Sequence, residues 1–450
     1  SFRARAKEFA PLPDAWAAVV GALAAGGFAT LRLDTPSGRD AACGLVRLAE
    51  FFLRMAVSQG VATSLKWLKA SSSEFRRWAI EGVPLTQRRG GLARFLRGPL
   101  RTLVDSDEKS LQVSYLGRAL PKGSTAVCHR ALLGHRDALS TTHETSPALL
   151  GRARAFARAW AARFLDDGPP IGVIPVKDSS CLEATRKQGG FSSQMASARW
   201  EAEAHPTYRP TWEQVKREHP EILPDAAWYG DRLPATATAL RHVCFEALTP
   251  DLPRHEALAV PERGWKARVV TKSPAKLVAL GHFLRRWLFA GLRRDGRTSS
   301  VLAGDHARAV ENAFKFGQPR DRDYLAVSSD LTAASDLLPL DLIEALVDGI
   351  LEARPLPQWA EASLRALTGP QWISYPWGEG IASRRGILMG LPTTWCLLSL
   401  TQLFWVEEAA RSVPGRLSEQ VRRRTAVCGD DLLGHWPKRA VDAYHACADA

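Results

Sequence analysis

The sequence predicts an α+β fold: a small antiparallel sheet backed by helices, preceded by a mainly helical first half. Three observations predict it. The first two hundred residues interleave basic and apolar positions in a helical pattern. The last third runs in the order strand, helix, strand, helix, hairpin, helix, which suits an α+β layout. The composition of the 450 residues, 46% hydrophobic and 24% charged, is that of a folded chain with core enough for more than one domain.

Along the chain, AWAAVVGALAAGGF (15–28) is the longest apolar stretch and is too short to span a bilayer comfortably. Arg3, Arg5 and Lys7 before it give a faint leader-like look, but a buried Ala-rich helix is the preferred reading. The chain opens on Ser1, so residues before it are expected. EFRRWAIEGVPLTQRRGGLARFLRGPLRTL (74–103) is basic and apolar by turns; Arg76, Arg77, Arg88, Arg89, Arg94, Arg97 and Arg101 could line a polyanion channel, although each alone reads as a solvated helix position. DGPPIGVIP (167–175) and the polar stretch 185–220 are weak boundary candidates.

The second half is more patterned. GWKARVVTK (264–272) reads as a strand that puts Lys266 and Arg268 on one face. Arg285, Arg286, Arg293, Arg294 and Arg297 follow on a helix. YLAVSSD (324–330) is a β-branched and aromatic run and reads as a strand. LPLDLIEALVDGILEA (338–353) has helical spacing, and WISYP (372–376) reads as a strand. PTTWCLLSLTQLFWVEEAAR (392–411) reads as a helix with Pro392 in its first turn; it is apolar almost all round, which implies burial. TAVCG (425–429) and LLGHW (432–436) read as two strands joined by a tight turn at Asp430–Asp431, and a helix begins near 440.

The net charge of +13 favours a polyanionic partner, nucleic acid or an anionic membrane surface. The seven cysteines are scattered without a C-x-x-C pair, which implies free thiols. Cys128, His129, His135 and His143 lie near one another, but their spacing fits no common zinc pattern.

Four segments carry chemistry. Gly429-Asp430-Asp431 places two carboxylates at a hairpin tip, where they can meet a divalent cation and substrate phosphates. Asp330 ends a strand, and Asp336 follows in DLTAASD. A carboxylate at a strand end facing others at a hairpin tip is what a two-metal phosphoryl-transfer site requires. Lys266 and Arg268 together could bind a triphosphate. In RRGILMGLPTTW (384–395), Gly386 and Gly390 suggest a pliant loop, with Thr393 and Thr394 offering hydroxyls at a helix start. Each signal has a plain alternative: an Asp-rich turn, a helix cap at Asp330, an exposed basic strand, a capped helix.

Their order is more specific than any one of them. Basic strand, D-x5-D, Gly-rich loop with helix, then GDD is the succession called F, A, B and C in viral RNA polymerases. WKARVVTKSPAKLVALGH (265–282), SDLTAASDLLP (329–339), RGILMGLPTTWCLLSLTQLFW (385–405) and CGDDLLGHW (428–436) resemble the RNA-dependent RNA polymerases of ourmia-like (botourmiavirus) and narna-like viruses, distant relatives of the RNA-phage replicases. The resemblance is specific across roughly 260–436 and vaguer before 200.

The resemblance implies a right-hand polymerase. Residues 1–200 would be the helical N-terminal region and fingers, 201–323 fingers with the basic nucleotide-binding strand, and 324–450 a palm that stops before the thumb. The later palm elements, with the lysine such enzymes commonly use as general acid, would be missing too. Asp330 and Asp430, assisted by Asp431, would hold two Mg²⁺ (or Mn²⁺) ions. Asp336 would read the ribose hydroxyls of the incoming rNTP, and Lys266 and Arg268 would hold its triphosphate. Gly386, Gly390, Thr393 and Thr394 would form the loop near template and sugar. Ser399 stands where many such enzymes place an Asn that senses the 2′-hydroxyl. The implied partners are an RNA template, nascent RNA and rNTPs, in the host-cell cytoplasm or, alternatively, the mitochondrion. A reverse transcriptase is the nearest rival, against which Asp336 and Gly429 favour ribonucleotides. A basic RNA-binding protein without catalysis is the non-enzyme rival, and it predicts no convergence of Asp330 with Asp430.

Overall fold

Apolar periodicity accounts for the helices of the first half. The structure, a computed structural model, describes residues 35–81, 114–170, 172, 174–204, 227–314 and 323–450, together with 16, 17, 20, 21 and 111. Nearly all of 15–28, Arg88, Arg89, Arg94, Arg97, Arg101 and the polar stretch beyond 204 lie outside the described residues. The chain divides into two compact units, residues 1–134 with 259–269 and residues 135–258 with 270–450.

In the first unit, α1 (Pro36–Gln59) and α2 (Val61–Glu81) pack together, separated by Gly60 at φ +90°. Phe52 and Leu65 are fully buried, worth about 1.5–3 kcal/mol each. Helix α3 (Thr125–Ser140) begins in this unit and ends in the second.

The second unit continues with α4 (Pro147–Phe164), α5 (Gly190–Ala204) and α6 (Ala227–Glu246). Then come β1 (Arg254–Glu262), β2 (Lys266–Lys272), α7 (Ala275–Arg294), α8 (Gly296–Leu302) and α9 (His306–Phe314). The turn end of the β1–β2 hairpin belongs to the first unit. Helices α5, α6 and α7 share a core that includes Met195, Cys244, Leu280 and Phe283.

The patterned last third forms β3 (Tyr324–Asp330), α10 (Ala334–Leu337), α11 (Leu340–Ala353) and α12 (Gln358–Thr368). Next are β4 (Trp372–Ser374), β5 (Gly380–Ala382), α13 (Thr394–Arg411) and α14 (Gly415–Arg423). The last elements are β6 (Thr425–Cys428), β7 (Asp431–Pro437) and α15 (Lys438–Asp449). Helix α11 lies on α4 so closely that a Cβ at Gly349 would collide with the Arg154 carbonyl. Helix α13 is buried along most of its length, as its all-round apolarity implies.

One sheet has the order β2-β1-β4-β5, with β1 and β4 parallel, and the other has the order β3-β7-β6, antiparallel throughout. The mixed α+β architecture with small sheets is therefore present. Two local expectations are corrected. Pro392 precedes α13 instead of lying in its first turn, because Pro392 and Thr393 form a turn and the helix starts at Thr394. The hairpin turn is Gly429-Asp430, not Asp430–Asp431. Gly429, at φ +65°, takes the left-handed position such a turn needs, which frees Asp431 to open β7. All seven cysteines are free. No described helix is long and apolar enough to cross a membrane.

Candidate active site

The three-stranded sheet gathers the carboxylates. Strand β7 lies between β3 and β6, and its first residue, Asp431, pairs with Asp330 on one side and Cys428 on the other. Directly opposed residues on antiparallel strands sit with Cα atoms about 4.5–5.5 Å apart. Asp330 is thus across the ladder from Asp431, and Asp430 adjoins Asp431 in the turn. Asp330 and Asp431 are exposed and Asp430 half-buried. Burial, then Asp430, then Asp330 raise the Asp431 carboxyl above its usual range. Burial and the two hairpin aspartates likewise raise the Cys428 thiol. The carboxylates therefore feel one another, although among the described residues no group of three His, Cys, Asp or Glu side chains closes into a metal cage.

Buried polar groups on α13 and α15 hold the turn, and none of these was singled out from sequence for that role. Gln402 donates from Nε2 to the Asp430 carbonyl at 2.8 Å and accepts from the Tyr444 hydroxyl at 2.6 Å. Gln402 and Tyr444 are both 0% exposed, so these bonds have no competition from water. Trp395 packs against the turn so closely that a Cβ at Gly429 would lie 2.5 Å from its Nε1. Ser399, expected near a sugar 2′-hydroxyl, is buried with its hydroxyl engaged: it accepts from Gly429 N–H at 3.1 Å and donates to the Trp395 carbonyl at 2.9 Å.

Asp336 is carried by the single turn of α10, reached from Asp330 through Ala333 in the left-handed region at φ +51°. Asp330 is not the helix cap considered from sequence, since Ala333 holds that place. Burial raises the Asp336 carboxyl while nearby His135 opposes the rise. His135 also escaped the sequence reading in this role; only its place in the Cys/His group had drawn notice.

The 384–391 loop is pinned rather than pliant. Gly386 N–H donates to the Leu338 carbonyl at 2.7 Å and Ile387 N–H to the Ser335 carbonyl at 2.8 Å. Gly386, at φ +85°, lies against Leu139 and the Asp336 carbonyl, and Gly390 against Thr271, so both glycines serve close approach. Thr394 donates to the Leu388 carbonyl at 2.6 Å, whereas the buried Thr393 hydroxyl has no hydrogen-bond partner among the described residues.

Lys266 and Arg268 lie in the first unit, on β2, and do share a face. Each pairs with Glu262 at 3.2 Å, and both side chains remain about half exposed, at 54% and 52%. Arg285 and Arg293 lie over the Phe289 ring on α7.

No protein-family model matches the chain. It is 34% identical over 452 residues to the RNA-directed RNA polymerase of Saccharomyces 23S RNA narnavirus, a match that covers 97% of this chain and 46% of that protein. It is 36% identical over 345 residues to the RNA-directed RNA polymerase of Saccharomyces 20S RNA narnavirus, covering 74% of this chain and 39% of that protein. The chain spans less than half the length of these relatives. Both are narnaviral, in keeping with the narna-like side of the resemblance carried by the motifs.

Proposed function

We propose, from the premise that this chain belongs with the narnavirus RNA-directed RNA polymerases, that it carries the nucleotidyl-transfer centre of an RNA-dependent RNA polymerase replicating a positive-strand RNA genome. The reaction is attack of a 3′-hydroxyl of nascent RNA on the α-phosphate of a template-selected rNTP, with pyrophosphate leaving. The observation that carries this reading is the convergence of Asp330, Asp430 and Asp431 at one end of adjacent strands.

The donor set fits hard divalent cations: three carboxylates, one of them pushed above its usual range by burial and then by the other two, would gain from a positive charge between them. Asp330 and Asp430, with Asp431 assisting, would hold two Mg²⁺ or Mn²⁺ ions, which would lower the pKa of the attacking hydroxyl and neutralise the leaving pyrophosphate. Asp336 contacts the ribose, and Lys266 and Arg268 exchange Glu262 for the triphosphate. The loop with Gly386, Gly390, Thr393 and Thr394 faces template and sugar. Ser399 acts through the turn it holds. Residues 324–450 then serve as palm and 201–323 as fingers, working on template RNA and rNTPs in the cytoplasm or mitochondrion of a host.

The test is Asp430→Asn in the full-length protein. RNA synthesis should be lost while the thermal midpoint does not drop, since one repelling charge is removed. Synthesis at the wild-type rate would overturn the assignment. A wild-type protein that binds RNA but incorporates no rNTP would favour the non-catalytic RNA-binding reading.

A further inference from the structure

His135 lies near the C-terminal end of α3, more than two hundred residues before the hairpin aspartates in sequence. Its side chain is only 5% exposed. Nδ1 lies 2.9 Å from the Tyr375 hydroxyl in a buried contact. Burial, and secondarily Asp336, push the Tyr375 phenol well above its usual range, so it keeps its proton and donates. Burial also lowers His135, favouring the neutral ring. With Nδ1 accepting, the ring proton sits on Nε2. Nε2 faces Asp336 Oδ1 at 4.0 Å.

That oxygen accepts a hydrogen bond from Ser335 Oγ at 3.2 Å. Oδ2 has no hydrogen-bond partner among the described residues, and the Asp336 side chain keeps 25% of its surface exposed. Tyr375 is in turn fixed. It stacks on Trp377 with ring centroids 5.0 Å apart and planes at 14°, and its N–H closes the turn to the Glu379 carbonyl at 3.0 Å. Arg136, the neighbour of His135, lies over the Trp377 ring. The Asp336 carboxylate thus has one oxygen turned inward and one left open.

We propose that His135 and Tyr375 are positioning residues for Asp336: they hold Oδ1 toward the interior so that Oδ2 is presented to the sugar hydroxyls of an incoming ribonucleotide. This inference rests on reading Asp336 as the ribose contact. It extends the nucleotide site to α3 and to the β4–β5 connection, where no motif residue lies. It also makes sugar selection depend on side chains that touch neither nucleotide nor metal.

The experiment compares kcat and KM for an rNTP and the matching 2′-dNTP on a homopolymeric RNA template. It uses the full-length wild-type protein, His135→Ala, Tyr375→Phe and Asp336→Ala. His135→Ala should cut the rNTP over dNTP preference roughly tenfold through a raised rNTP KM, with dNTP parameters little changed. Tyr375→Phe, which keeps the ring and its stack, should shift the preference in the same direction by less, and it decides the matter if the His135 variant does not fold. A purely structural role would lower both nucleotides alike and leave the ratio unchanged, which overturns the inference. If the ratio falls for Asp336→Ala but for neither of the other two, the positioning role alone is refuted. If Asp336→Ala also leaves it unchanged, the ribose reading goes with it.

Discussion

Gln402→Leu should loosen the Gly429-Asp430 turn and destabilise the protein, and the structure sets the size of the effect. The substitution keeps the volume of the side chain on α13 but removes both of its hydrogen bonds. Among the described residues the Tyr444 hydroxyl is then left, in a fully buried setting, with only its long 3.4 Å contact to Ser329 Oγ. A buried polar group left unpaired costs about 1–3 kcal/mol, and the partly buried Asp430 carbonyl adds on the order of 1. The sum is roughly 2–4 kcal/mol, a fall of about 3–6 °C in thermal midpoint for a unit of this size. Tyr444→Phe alone should cost about 1–2 kcal/mol by stranding Gln402 Oε1. The double variant should cost less than the sum by roughly 1–2 kcal/mol, because removing both partners leaves neither stranded. The assay is thermal and denaturant unfolding of the four proteins, followed by single-nucleotide incorporation in the full-length context. Incorporation should fall at least about tenfold in Gln402→Leu while template binding is kept, since the Asp430 backbone loses its anchor. Strictly additive unfolding costs, or a single-variant cost below about 0.5 kcal/mol, would refute the reasoning.

Two further outcomes are expected. Lys266→Ala should raise the rNTP KM roughly tenfold with kcat little changed, and an unchanged KM in steady-state incorporation would remove Lys266 from the triphosphate site. Acid should destabilise the second unit through His255, whose Nε2–H donates to Gln371 Oε1 and whose Nδ1 accepts from Ser273 Oγ within the core, and which burial holds down at about 4. The unfolded chain protonates this imidazole near its usual 6.5 while the folded one does not. Stability therefore holds above that pH and falls by roughly 3 kcal/mol between about 6.5 and 4. Denaturant titrations across that window should give a shallower pH slope for His255→Gln, and an identical slope would show that another group is responsible.

Much of the last third was legible because its periodicities are strong. Strand β3 coincides with YLAVSSD, and α11, α13 and α15 fall within a few residues of their apolar patterns. The turn was misplaced by one residue because two adjacent aspartates look like turn residues, whereas the backbone needs the glycine there. WISYP was shortened because Tyr375 leaves the strand for a turn completed by Gly378 at φ +92°. Strand β1, with Pro261 inside it, gave no strand signal at all, and its parallel pairing with β4 joins residues more than a hundred positions apart. The carboxylates were singled out by the order of the four segments, because an Asp-rich turn or an Asp at a helix start is common on its own. Gln402, Ser399, Tyr444 and His135 were not, since a polar residue within an apolar run has no mark in sequence for what it will bond.

The sandwiching of β7 between β3 and β6 has a consequence for which genetic changes the site can absorb. Side chains alternate faces along a strand, so sliding β3 by one position against Asp431 would carry Asp330 to the opposite side of the sheet. Most single substitutions at the outward positions of 324–329 leave that alignment alone. Gain or loss of one codon between 324 and 330, or within the Gly429-Asp430 turn, breaks it at a stroke. The site is thus tolerant of copying errors that swap letters and intolerant of those that shift the count.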